Sequence, residues 1–119
     1  MATYSKLPLS SSINGKQILI TGITGSVSTP IHTSLSGTSS LDEVYLYAYN
    51  ESLITSTLTI QWGGIIEPND VVRSAIPSQS GRTLLVDGKL IQNGLTISAY
   101  ATSGSFINVD GFVNRIFLP

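Results

Sequence analysis

Ser56-Thr57-Leu58-Thr59-Ile60-Gln61-Trp62 is the stretch that decides the fold class. Ser56, Leu58, Ile60 and Trp62 fall on one side of an extended segment, and Thr55, Thr57, Thr59 and Gln61 fall on the other. A period of two with β-branched Thr on the wetter side marks a half-buried strand, because successive side chains of a strand point to opposite faces. The segment 95–102 repeats the pattern, with Leu95, Ile97, Ala99 and Ala101 inward and Thr96, Ser98, Tyr100 and Thr102 outward. Further strands are expected over residues 17–21, 30–33, 43–50, 71–76, 82–86, 89–92, 106–109 and 112–118. No window carries the 3.6-residue stripe of an amphipathic helix.

Turn chemistry points the same way. Asp87-Gly88, Asn93-Gly94 and Asp110-Gly111 each sit between apolar runs. Such dipeptides favour two-residue hairpin loops, where both central residues need φ > 0. Three of them predict an antiparallel meander at the C-terminal end. The first two lie so close together that one of them is expected to be a β-bulge instead. Many short strands with turn signals between them predict an all-β fold, a single antiparallel β-sandwich of jelly-roll or Greek-key type. Residues 1–15, with the loop-like run Ser10-Ser11-Ser12-Ile13-Asn14-Gly15, read as an extended N-terminal arm, and residues 16–119 as the β-sandwich domain.

Composition narrows the function. Only 11% of the 119 residues are charged, against about 25% in an average soluble domain. Ser and Thr together number 30. Six cations make no electrostatic footprint for nucleic acid. No cysteine is present, so a disulfide scaffold and a thiolate metal site are excluded. The first fifteen residues contain no apolar run of signal-peptide type, and the longest apolar run, Val44 to Tyr49, is far shorter than the ~20 residues of a spanning helix. Neither a nucleic acid nor a membrane is expected as a partner.

Catalytic signatures are missing. The chain has no G-x-S-x-G elbow and no phosphate-binding glycine loop. Its single histidine, His32, reads as a strand or loop residue without a catalytic role, since a metal cluster recruits several His or carboxylates. No catalytic residue, cofactor or metal is expected. Asn50-Glu51-Ser52 matches a glycosylation sequon, a pattern common by chance.

Tyr45, Tyr47 and Tyr49 alternate with Val44, Leu46 and Ala48, so three rings project from one face of a strand that is apolar on both sides. Such a row fits packing under a loop or the N-terminal arm, a subunit interface, or a platform for stacked sugars. Trp62 shares the side of Leu58 and Ile60 and is expected in the core. A surface of Ser, Thr, Asn, Gln and Gly repels itself weakly and suits dense packing against copies or a lattice.

The runs Thr29-Pro30-Ile31-His32-Thr33, Gly37 to Asn50, Leu58 to Gly64, Asn93-Gly94-Leu95 and Gly111 to Ile116 resemble a family of small virion proteins of tailed bacteriophages, over roughly residues 4–117. The chain departs from that pattern at Val86-Asp87-Gly88, where a Pro-Gly turn is expected. The resemblance implies a capsid decoration, or cement, protein on the virion surface. It would sit as a homotrimer on the major capsid protein and hold neighbouring capsid subunits together. The interface is expected to use Tyr4, Leu7 and Leu9 of the arm, the face of Tyr45, Tyr47 and Tyr49, and Phe117 and Leu118 of the last strand. The alternative is a host-receptor or glycan-binding module, or a tail or neck structural protein.

Overall fold

The structure, a computed structural model, describes residues 3–119. Nine strands follow in order: β1 (Thr3–Pro8), β2 (Ile18–Ile20), β3 (Thr29–Thr33), β4 (Ser40–Asn50), β5 (Ser56–Trp62), β6 (Val71–Ile76), β7 (Thr83–Ile91), β8 (Thr96–Ala101) and β9 (Ile107–Phe117). They form two sheets, β1-β9-β4-β7 with β2 also on β9, and β3-β8-β5-β6. Every pairing of these strands is antiparallel. The expected all-β sandwich is therefore the architecture.

The alternation read from the sequence sets the core. Leu58 and Ile60 of β5, Ile97 and Ala99 of β8, and Val44 and Leu46 of β4 are each at most 1% exposed. Burying an Ile or Leu side chain of this kind contributes about 1.5–3 kcal/mol. Leu95 departs from the expected inward face and is exposed, because β8 starts one residue later, at Thr96. Trp62 is only half-buried at the rim of the core, where its Nε1–H donates to the Leu90 carbonyl at 3.2 Å. Thr59 and Gln61, expected on the wet face, are buried. The β2–β3 loop reaches over Gln61, whose Nε2 donates to the Gly25 carbonyl at 3.1 Å, and Ser98 Oγ donates to Gln61 Oε1 at 2.9 Å.

The C-terminal meander is not formed. β7, β8 and β9 alternate between the two sheets, and only β5 and β6 are both consecutive in the chain and neighbours in a sheet. Asn93 and Gly94 have the left-handed φ values of the expected turn, 66° and 73°, but their flanking strands lie in opposite sheets. Asp87-Gly88 lies inside β7. There the register passes from Val44–Lys89 to Tyr45–Asp87, so Gly88, at φ 79°, is the extra residue of a bulge. Asp110-Gly111 lies inside β9, paired straight across to Tyr47 and Leu46. Gly111 is required by contact as well as by its φ of 153°: a Cβ there would stand 1.9 Å from the Tyr45 carbonyl oxygen.

The arm is also part of the fold. Thr3–Pro8 is an edge strand on β9, in register from Thr3–Phe117 to Pro8–Phe112. Met1 and Ala2 of the expected arm lie outside the described residues. Leu9, expected at an interface, is a core residue at 1% exposure and cannot meet a neighbour while the fold is intact.

One polar cluster joins the sheets. His32 of β3 and Asp42 of β4 are both buried, 2.6 Å apart between Nε2 and Oδ2. Arg115 of β9 grips the same carboxylate with Nε at 2.9 Å from Oδ1 and a terminal nitrogen at 3.0 Å from Oδ2. The backbone N–H of Ser10 donates to His32 Nδ1 at 3.0 Å, so the ring proton sits on Nε2 and points at Asp42. Burial pushes the Asp42 pKa up, but the hydrogen bonds and charges of Arg115 and His32 outweigh it and hold the carboxyl below its ordinary value. A second polar hub fixes the β4–β5 loop. Asn50 is fully buried, with its amide donating to the Ile54 and Ile76 carbonyls at 2.8 and 3.0 Å. The side chain of the apparent sequon is thus committed to structure.

Two outcomes follow from these contacts. Gly111→Ala forces β9 away from Tyr45 and should destabilise the fold by about 2–4 kcal/mol, read as a fall in the urea midpoint, whereas Gly81→Ala, with open space around the position, should cost only the strain of its positive φ, about 1 kcal/mol. Asp42→Asn leaves Arg115 without its counter-charge and should cost about 3–5 kcal/mol at pH 7. Because the folded pKa of Asp42 is depressed, its contribution is present above the unfolded value of about 3.9 and disappears as the pH falls through the folded value. Urea midpoints measured from pH 7 to pH 2 should therefore converge for wild type and variant at the acid end.

Candidate interaction face

On β4 the inward residues Val44, Leu46 and Ala48 are buried, so Tyr45, Tyr47 and Tyr49 point out of the sandwich. The strand is not covered on both sides within the chain, because the tyrosines are half-buried and not enclosed. Their neighbours come from β9 and β1. Tyr45 is paired with Phe112, and the rings stack with centroids 4.7 Å apart and planes at 16°. Lys6 of β1 places Nζ 4.3 Å over the centre of the Phe112 ring. Arg82 lies 4.2 Å over the Tyr47 ring and is held there by Asp110 at 3.1–3.2 Å.

The hydroxyls are tied as well. Tyr45 OH donates to Glu43 Oε1 at 3.0 Å, and Asn114 Nδ2 donates to the same oxygen at 3.0 Å. Tyr49 OH donates to Glu51 Oε2 at 2.6 Å. These carboxylate bonds favour the protonated phenols, and both pKa values are raised above the ordinary tyrosine value. The face is therefore largely set: the Tyr45, Tyr47 and Phe112 rings are stacked or capped by cations, the Tyr45 and Tyr49 hydroxyls are fixed by carboxylates, and Arg82 is paired with Asp110.

The eight expected interface residues separate into several places. Tyr4, 68% exposed, falls on the same side of the sheet as the tyrosine row, since it pairs with Ile116, opposite Leu41. Leu7 pairs with the buried Val113 and leans toward the core side. Phe117 and Leu118 are exposed at the end of the sandwich where β4 begins, with the Leu118 N–H donating to the Ser39 carbonyl at 2.8 Å. Sequence reasoning missed Phe112, Lys6 and Arg82, which only the cross-strand register brings to the tyrosines.

Apolar side chains also gather at the two ends. A cleft of about 380 Å³ opens between the β4–β5 and β8–β9 loops, with Leu53, Ile54 and Phe106 on its walls. Leu53 is 85% exposed. At the opposite end Trp62, Leu90 and Leu95 line a cleft of about 400 Å³. Among the described residues no group of three or more His, Cys, Asp or Glu side chains is placed to hold a metal ion.

No family model and no curated protein matches the chain. Among solved structures it is similar to one of Bacillus endospore appendages, described as a novel family of disulfide-linked pili, at 10% identity and a TM-score of 0.49 over 99% of this chain and 89% of that one. At this level the likeness carries neither a function nor an assembly across, and a chain without cysteine has no counterpart of the disulfide linkage.

Proposed function

We propose that this chain is a structural protein of a bacteriophage virion, a decoration protein that binds the major capsid protein at the outer surface of the head and holds neighbouring capsid subunits together, as a homotrimer. The observation that carries the reading is the fixed aromatic face of Tyr45, Tyr47 and Phe112 on a chain with few charges. Tyrosines already restrained by stacking and by carboxylates lose little side-chain freedom on association, and large rings dominate the energy of contact surfaces. The charges on the face, Lys6, Glu43, Glu51, Arg82 and Asp110, already rest on rings, hydroxyls or each other, which limits the reorganisation needed where the face is covered. The resemblance to phage virion proteins supplies the kind of partner.

A glycan-binding role is less well supported by the same face. A sugar stacks on an open ring, and here Phe112 is flanked by Lys6 and Tyr45 while Tyr47 is capped by Arg82.

Co-sedimentation of the purified chain with capsids stripped of it tests the reading. Tyr45→Ala combined with Tyr47→Ala should weaken binding by about thirtyfold or more, the effect of losing a hot spot of about 2 kcal/mol. Raising the salt from roughly 50 to 500 mM should change wild-type binding by only a few fold if the rings carry the contact and the charges around them stay engaged within the chain. Undiminished binding by a folded double variant would reject this face as the contact.

A further inference from the structure

We propose that β1 is an exchangeable strand, and that Thr3–Pro8 of one copy pairs with β9 of a second copy of this chain. The way β1 is held differs from the way every other strand is held. Of its six side chains only Leu7 is half-buried, and the other five are exposed. Its partner is β9 alone, through a ladder from Thr3–Phe117 to Pro8–Phe112. What attaches β1 is main-chain hydrogen bonding, one leucine and the contact of Lys6 with Phe112.

The chain is pinned immediately after it, by contacts that do not involve β1. Leu9 is in the core. The Ser10 N–H donates to His32 Nδ1 at 3.0 Å, Ser10 Oγ accepts from the Thr33 N–H at 2.7 Å, and the Ser11 N–H donates to the Ile31 carbonyl at 3.1 Å. The anchor is thus on β3, in the other sheet, while β1 lies on β9. Between strand and anchor stands Pro8, which has no N–H to lose and holds Leu7 extended whether or not the strand is paired. Residues 3–8 can leave β9 and swing about Pro8 with the sandwich and its polar clasp intact.

Departure leaves a slot of defined length. The outer edge of β9 is shared, with β2 on Ile107–Val109 and β1 on Phe112–Phe117. Without β1 the second stretch exposes a row of unpaired backbone groups, which templates the addition of another strand. The best complement to that slot is the β1 sequence, since register, Leu7 and Lys6 already fit it. Exchange between copies reproduces the same contacts and is a low-cost route to an oligomer. A six-residue strand spans about 20 Å, enough to bridge adjoining subunits. The exchange involves this chain alone, so its test needs no capsid and its outcome is separate from that of the proposed function.

The absence of cysteine makes the test clean. Lys6 and Asn114 are directly opposed in the register, and opposed residues of antiparallel strands lie within disulfide range. The two single variants Lys6→Cys and Asn114→Cys are mixed at high concentration, co-refolded from urea and oxidised. A disulfide-linked heterodimer about tenfold more abundant than in a mixture of Lys6→Cys with Ser80→Cys is the expected result. A yield no greater than that control overturns the proposal. Sedimentation gives an independent reading. Wild type should show concentration-dependent oligomers that fall to monomer when residues 1–8 are deleted, and a wild-type chain that remains monomeric at millimolar concentration overturns exchange.

Discussion

Asp42 is a carboxylate removed from water between two β-sheets, and the arrangement of the sandwich depends on how it is satisfied. An unpaired charge there would cost several kcal/mol. His32 reaches it from the four-stranded sheet and Arg115 from the neighbouring strand of its own sheet. The three side chains hold β3, β4 and β9 in one relative position. The imidazole is in turn oriented by the Ser10 backbone, so the same network fixes the path of the chain where it leaves β1. Hydrophobic packing alone would tolerate sliding of one sheet over the other; a buried carboxylate with two defined partners, one in each sheet, does not.

That rigidity is inherited by the outer face. Tyr45, Tyr47 and Phe112 stand on the two strands that carry Asp42 and Arg115. Their rings are restrained by one another and by Lys6 and Arg82, and two of the tyrosine hydroxyls by Glu43 and Glu51. A preorganised surface of this kind spends little entropy on being covered.

The strands were legible wherever one face is buried and the other is not. The alternation at 56–62 and 95–102 names the core residues of β5 and β8 except Trp62, which is half-buried, and Leu95, which is exposed, and the segment 71–76 coincides with β6. The turn dipeptides form none of the expected hairpins, although the bulge expected at one of the first two is present at Gly88, and the reason is physical. Asp-Gly marks a place where the backbone needs positive φ or must lack a Cβ, and a hairpin is only one such place. In β7 the need arises from a bulge at Gly88, and in β9 from the approach of the Tyr45 carbonyl to Gly111. Thr59 and Gln61 look solvent-facing by pattern and are buried, and Gln61 is so because a distant loop folds over it. The tyrosine row was visible in the chain; Phe112, Lys6 and Arg82 were not, since cross-strand neighbours are set by tertiary register. His32 was read as lacking a catalytic role, but its structural role depended on Asp42 and Arg115 arriving from other strands.

The irregular pairing of β7 with β4 has a consequence for growth. The register slips twice, leaving out Gly88 and Leu85, on the strand that forms the far edge of the five-stranded sheet. A kinked, locally overtwisted border presents no straight row of donors and acceptors for an incoming chain. The two borders of the sheet therefore differ: the β1–β9 ladder is regular, whereas the β7 border is kinked. A molecule with little repulsive charge and many β-branched residues would otherwise be at risk of unlimited fibre formation. The β7 border is thus a poor template for a further strand.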